Sequence, residues 1–401
     1  MDLSQALLSY RWRAFGAVAP RSSGGAARAS RCIVRGTSSR YAGSADIHDV
    51  IIVGGGFAGL ATVSQLARKQ GRRLRMLLVE QGRGFGGRVC TRRGESSTGA
   101  VSFDHGCQFF TAKPTQPFFQ EACQQWQDAG VVGVWNTSIG TVDCQNGSLG
   151  DSSVFKPLGS SKIPLVGIPS MSAIGKHMVQ DAQAASELDI LTSSKASEPS
   201  WDNVDKMWTL RVNDVSVYSK VLAVATSARS CVRLLGSACP GGQAASTIQS
   251  NVCWALLVAT QQPLSHLVWD AAILQGSTFV WASRNSSKPG RPGPPAPECW
   301  VFHASPEWSN PRAQLEKEEA KDLLMAEFFQ HTGCLQEDVI YVEAFRWNNA
   351  FPLNPLDNPK NCILEVDRML VAGGDWAAGD RVGDAYESGV AIASAVISLL
   401  Q

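Results

Sequence analysis

Long apolar runs are missing from this 401-residue chain. The longest, such as Cys253 to Ala259, stop far short of the roughly 18 residues a bilayer span needs, so no membrane span is expected. A basic face is missing too. The formal net charge is +1, and beyond residue 45 the chain carries a surplus of five acidic groups. Nucleic-acid binders need cation-rich surface to neutralise phosphates, so this balance argues against that class. Metal patterns are lacking. The eleven cysteines are scattered, with no Cys-x-x-Cys and no paired histidines, which fits neither a zinc site nor a disulfide framework. Cys253 and Cys362 sit in apolar runs, as buried free thiols of a reducing compartment do. Wholesale disorder is excluded as well. At 44% hydrophobic and 18% charged, a chain this long buries the core of two domains or one large composite.

The first 45 residues stand apart. They hold seven arginines, no lysine, one acid (Asp2) and eight serines. Such a segment cannot bury enough surface to fold alone, and it reads as an organelle transit peptide. Its serine and alanine content points to the chloroplast, with the mitochondrion as the alternative.

The body opens on a nucleotide signature. Asp49 to Val53 is a β-branched run typical of a buried parallel strand. Gly54-Gly55-Gly56-Phe57-Ala58-Gly59 follows at once, and Leu60, Val63, Leu66 and Ala67 then mark one face of a helix. A second strand, Leu74 to Val79, ends on Glu80-Gln81, with Glu80 21 residues beyond Gly59. This is the whole dinucleotide fingerprint rather than a bare glycine pattern. Gly54 allows the turn, Gly56 lets backbone approach a pyrophosphate, and Gly59 lets the helix pack closely. The helix start offers free N–H groups and its positive dipole end to phosphate. Glu80 can accept from a ribose hydroxyl.

Two further elements separate FAD from NAD. Gly82 to Arg88 is a second glycine-rich turn with two arginines, able to close over the same pyrophosphate, and simple NAD domains have none. Near the C-terminus, the strand Arg368 to Ala372 runs into Gly373-Gly374-Asp375-Trp376 and then into a helix past Val382 and Ala385. A helix start there can face the carbonyl side of a flavin.

These two ends resemble the glutathione-reductase-like flavoproteins of the amine oxidase group, and more narrowly the renalase-like family. The residues carrying the likeness are Gly86-Gly87-Arg88, Phe103 to Thr111 with Gln108, Ile168 to Ile174, Trp281 to Gly290, Trp300 to Trp308, Phe345 to Pro352 and Gly374-Asp375-Trp376. It spans about residues 48–401. Three departures stand out. Ala225 to Ala228 replaces a common Pro-rich turn, Cys107 replaces an alanine, and Gly383-Asp384 replaces a Glu-Gly pair, adding a carboxylate able to lower the flavin's potential.

The resemblance implies an α/β fold, a two-dinucleotide-binding-type Rossmann-like FAD domain interleaved with an α+β substrate domain on a mixed sheet. Residues 48–112, 163–230 and 361–401 are assigned to the first, 113–162 and 231–360 to the second. The stretch Pro289 to Pro297 reads as a solvent-side loop, with Lys288 on a solvated face. The expected contacts to FAD, held non-covalently, are Gly54, Gly56, Phe57, Ala58, Gly59, Glu80, Gln81, Gly87, Arg88, Gln108, Gly374, Asp375, Val382 and Ala385. Cys90 and Cys362 keep covalent attachment open. No metal is expected.

No paired His/Asp or Ser/His constellation stands out, and hydride transfer needs none. The family places aromatic side chains over the flavin. Trp281, Trp300, His303, Phe345, Trp347 and Phe351 are candidates, and Arg346 could meet a ligand phosphate or pair with an acid. His303, Trp347, Arg346 and Trp281 are the expected catalytic set. The implied activity is oxidation of abnormally reduced NAD(P)H isomers, with electrons passed to O2. The alternatives are oxidation of an amine, carotenoid or porphyrin precursor, and a non-catalytic FAD-binding assembly protein.

Overall fold

The computed structural model describes residues 47–69, 73–145, 149–150, 154–159 and 163–401, so the expected transit segment lies outside the described residues. In chain order, the elements that build the site are β1 (Ile47–Val53), α1 (Phe57–Ala67), β2 (Arg75–Val79), α2 (Met171–Ala185), β3 (Glu187–Leu191), β4 (Met207–Val212), β5 (Val215–Ala225), β6 (Ser250–Thr260), β7 (Phe279–Arg284), β8 (Glu298–Ala304), β9 (Val339–Pro352), β10 (Leu370–Gly373) and α3 (Val382–Leu399).

β1 is buried along nearly its whole length because it is central and covered on both faces. It runs parallel to β2 on one side and β5 on the other, and β3 extends the sheet beyond β2. Side chains alternate between faces. Val50 and Ile52 pack with α1, α2 and α3, whereas Ile51 and Val53 face the short helices Ala228–Leu235 and Pro240–Ser246. These two helices follow residue 230 yet share the first sheet's core, and the chain enters the second sheet only at Ser250. β5 is long enough to serve two partners on one edge. Its first half is antiparallel to β4, and its second half is parallel to β10, with Ala225 opposite Gly373. The C-terminal glycine turn is thereby delivered beside the N-terminal one.

Among the described residues the second sheet has seven strands, with β9, β6, β8 and β7 consecutive and antiparallel, then Ala271–Gln275, Ile139–Asp143 and Phe155–Pro157. The Ala271–Gln275 strand runs parallel to Ile139–Asp143, so the sheet is mixed. Trp254, Leu256, Trp300 and Phe302 point to the face covered by the helix Lys317–Thr332. Cys253, Ala255 and His303 point to the opposite face. Among the described residues no helix is long and apolar enough to cross a membrane.

Candidate functional site

Gly54 leaves β1 at φ +109°, and a Cβ on it would stand 2.3 Å from the Ala225 carbonyl oxygen. Only glycine turns the chain there. A Cβ on Gly59 would stand 1.8 Å from the Gly54 carbonyl oxygen, so that residue seats α1 on the turn. Gly56 is different. Nothing lies within 4 Å of its Cβ position, because it borders open space.

The second glycine turn is fastened to the first. Gly86 N–H donates to the Gly55 carbonyl at 2.8 Å. One Glu80 carboxylate oxygen accepts the Gly55 N–H at 2.6 Å, and the other accepts the Gly82 N–H at 2.5 Å. Each oxygen keeps a lone pair for a ribose hydroxyl. Arg88 joins the third segment, pairing with Asp375 at 2.8 Å and donating to the Ala350 carbonyl of β9 at 3.1 Å. Burial works against the Arg88 charge, but Asp375 outweighs it and holds the guanidinium above its ordinary pKa.

α3 starts at the same place, with Val382, Gly383 and Ala385 facing in. The added carboxylate of Asp384 does not. It accepts the N–H groups of Arg381 at 3.0 Å and Asp380 at 3.2 Å, takes a hydrogen bond from Gln116, and lies 3.6 Å from Lys113. It is a helix cap with a cationic neighbour, not a bare charge.

These parts surround a cavity of about 990 Å³, at the upper end for small-molecule sites. Of the expected FAD contacts, Gly54, Gly56, Phe57, Ala58, Glu80, Gln81, Gly87, Arg88, Gln108, Gly374, Asp375, Val382 and Ala385 border it. Gly59 stands behind the turn. The residues fit a flavin dinucleotide: two helix starts, an open glycine Cα for the pyrophosphate, a carboxylate for ribose, and an aromatic wall for a planar ring.

That wall comes from the inner face of the second sheet. Trp281 and His303 are opposite one another on β7 and β8, and Phe345 and Trp347 follow on β9. The His105 carbonyl orients two of them, accepting from His303 Nε2 and from Trp347 Nε1, each at 2.9 Å. The His105 ring packs 4.5 Å from Phe345 and 4.9 Å from Trp347, centroid to centroid. Burial pushes both His105 and His303 down to about 4, so both rings are neutral at ordinary pH.

Three expectations are corrected. Arg346 lies on the strand between the aromatics, but alternation turns its side chain to the far face. There its guanidinium donates to the Ala313 and Leu315 carbonyls and stacks 5.4 Å over Trp254, so although the residue borders the cavity its charged end is turned away from a ligand phosphate. Trp300 faces the same helix-covered side, 5.5 Å from Trp269. Lys288 is not on a solvated face. Its side chain is fully buried against Asp104, at 3.1 Å.

Cys90 and Cys362 do not border the cavity, whereas Cys107 and Cys253 do. Burial pushes both of the latter up to about 12, which leaves them as unreactive thiols. Sequence reasoning missed the Ser194–Glu198 segment, Arg233, Asn251, and Asn348 with Asn349, all of which line the cavity. Arg233 sits in the helix Ala228–Leu235, Asn251 and the Ser194–Glu198 segment at strand starts, and Asn348 with Asn349 inside β9 between Trp347 and Phe351, where polar side chains beside the aromatics gave no signal of their own.

Comparison with known proteins agrees with this architecture. Residues 52–125 match the family model described as an NAD(P)-binding Rossmann-like domain. A putative protoporphyrinogen oxidase from Exiguobacterium superposes with a TM-score of 0.62 at 11% identity, covering 88% of this chain and 98% of that one. Putrescine oxidase bound to putrescine gives 0.62 at 12% identity, covering 88% and 99%. Cyclohexylamine oxidase from Brevibacterium oxydans gives 0.61 at 11%, with the same coverage. At such identities the likeness is one of fold: a mixed α/β chain with a Rossmann-like nucleotide-binding unit and a separate sheet over the cavity.

Proposed function

We propose that this chain is an FAD-dependent oxidoreductase of renalase-like type. It binds FAD without a covalent bond, oxidises NAD(P)H isomers reduced at an abnormal ring position, and uses O2 as acceptor to give H2O2. The observation that carries this reading is a cavity in which three glycine-rich or helix-start elements meet an aromatic wall. Bound FAD supplies the hydride acceptor and passes the electron pair to O2. The chain's own residues bind and orient. Trp281, Phe345 and Trp347 offer flat apolar faces, and His303 is a neutral hydrogen-bonding edge among them.

One feature favours a dihydropyridine over an amine. Among the described residues the carboxylates bordering the cavity are Glu80, Glu198, Asp375 and Asp380, all on the first sheet's side. An ammonium at the aromatic end would meet ring faces but no carboxylate among the described residues, whereas a neutral reduced ring needs no counter-charge.

The test is an anaerobic mix of the FAD-loaded protein with 2- or 6-dihydro-NAD(P), followed by flavin absorbance. Rapid bleaching is expected. Failure to bleach overturns the nicotinamide reading. Bleaching by an amine or a polyene instead supports the alternative substrates, and a yellow protein that no donor reduces supports a non-catalytic role.

A further inference from the structure

Behind the cavity wall lies a group of charges that the proposed reaction has not used. Asp104, Lys288 and Arg291 are side by side with side chains at most 1% exposed. Asp104 Oδ2 accepts from Lys288 Nζ at 3.1 Å and from an Arg291 NH2 group. Its other oxygen accepts from Thr91 Oγ1 at 2.6 Å and from Met171 N–H at 3.3 Å. One carboxylate therefore stands against two cations.

Burial pushes the Lys288 ammonium down from its ordinary pKa and Asp104 works against that fall; the geometry of its partners favours the charged form. Nζ meets three oxygens: Asp104 Oδ2 at 3.1 Å, Asn285 Oδ1 at 3.1 Å and Gln108 Oε1 at 3.5 Å. An ammonium has three donors and no acceptor, and so satisfies all three, whereas a neutral amine would turn a lone pair against an oxygen. The Trp135 ring covers the same nitrogen at 5.3 Å, a further cation site. Arg291 is always charged. The cluster thus carries one surplus positive charge, sealed from water, where such a charge is costly unless something answers it.

Gln108 borders the cavity, and its Oε1 is fixed toward Lys288 by that contact and by Ser283 Oγ at 2.6 Å. Cys107 and His303 are on the same wall.

We infer that Lys288 is an electrostatic positioning residue: the surplus charge of the Asp104–Lys288–Arg291 cluster, set behind Gln108, stabilises negative charge that develops on a ring bound at the aromatic end of the cavity. This rests on the flavin reading above. It assigns Lys288 to the redox balance of the site although its side chain touches neither cofactor nor substrate.

The experiment uses sulfite, which adds to an oxidised flavin ring and leaves negative charge on it. Its dissociation constant is measured by absorbance in the FAD-loaded wild type, Lys288→Met, Lys288→Gln and Ser283→Ala. The expected result is tight binding by wild type, weakening of about tenfold or more in both Lys288 variants, and little change in Ser283→Ala, which loosens Gln108 but keeps the charge. A Lys288 variant that holds FAD and binds sulfite as wild type does overturns the inference. So does a Ser283→Ala shift equal to that of Lys288→Gln, because the effect would then be geometric. If neither Lys288 variant folds, a wild type that forms no sulfite adduct at millimolar sulfite is the overturning result. FAD uptake is read first from the spectrum. Failure of the flavin reading gives a colourless wild type, and failure of this inference gives a yellow protein with unshifted sulfite binding.

Discussion

Two glycines within six chain positions of β1 do opposite work, and one substitution at each separates them. Gly56→Ala places a methyl where no protein atom lies within 4 Å, at φ −76°, which alanine adopts without strain. The fold should tolerate it and gain about 0.4–1 kcal/mol from the restricted unfolded chain. The same methyl stands in the cavity where a phosphate would approach. Losing one charge-assisted hydrogen bond there costs about 2 kcal/mol, or near 30-fold in FAD affinity. Gly59→Ala instead drives a Cβ to 1.8 Å from the Gly54 carbonyl oxygen, roughly half a normal contact distance. Backbone must move, and overpacking of this kind costs about 1–3 kcal/mol. FAD titration by fluorescence quenching and urea unfolding of the apoprotein measure the two effects. Gly56→Ala should retain stability and lose affinity, while Gly59→Ala should lose stability first. A Gly56→Ala protein that binds FAD like wild type would refute the placement of the dinucleotide over this turn.

Other outcomes are expected. Arg88→Leu leaves the buried Asp375 without its cation and should cost about 3–5 kcal/mol in urea unfolding; a loss under 1 kcal/mol would show the pair to be dispensable. His105 and His303 sit at about 4 in the fold against an ordinary 6.5, so the unfolded chain binds two protons that the fold does not across that window. Stability should therefore fall as pH drops from 6.5 to 4, by about 1.4 kcal/mol per pH unit for each proton, and His303→Gln should remove one proton's share of the slope. Asp384→Ala should cost about 1 kcal/mol as a lost cap while leaving the flavin potential unchanged; a rise in potential would restore the carboxylate as a tuning charge. Residues 1–45 fused to a fluorescent protein should carry it into chloroplasts, and cytosolic fluorescence would reject the transit reading.

Much of the first sheet was legible because its signals are local. The run into Gly54, the position of Glu80 and the strand before Gly374 each name a turn whose geometry demands those residues. The aromatic wall was legible as a set, but not residue by residue. Trp281, His303 and Trp347 face the cavity, whereas Arg346 and Trp300 differ from them only in parity along the strand. Which parity faces inward depends on which side the helix Lys317–Thr332 covers, a tertiary fact. Lys288 failed for a similar reason. Beside a proline-rich loop it reads as surface, yet only Gly290 and 292–295 are exposed there, and the loop's root is drawn inward by Asp104, almost two hundred residues earlier in the chain.

The grip of Glu80 on both Gly55 and Gly82 has a kinetic corollary. Loops from separate stretches of chain are already locked together by protein groups alone, so a nucleotide docking there need not first freeze them. Preorganisation of this sort spares the entropic toll of loop ordering. Cofactor capture should then proceed at close to encounter rates, and cutting the tether with Glu80→Ala should slow association rather than merely hasten release.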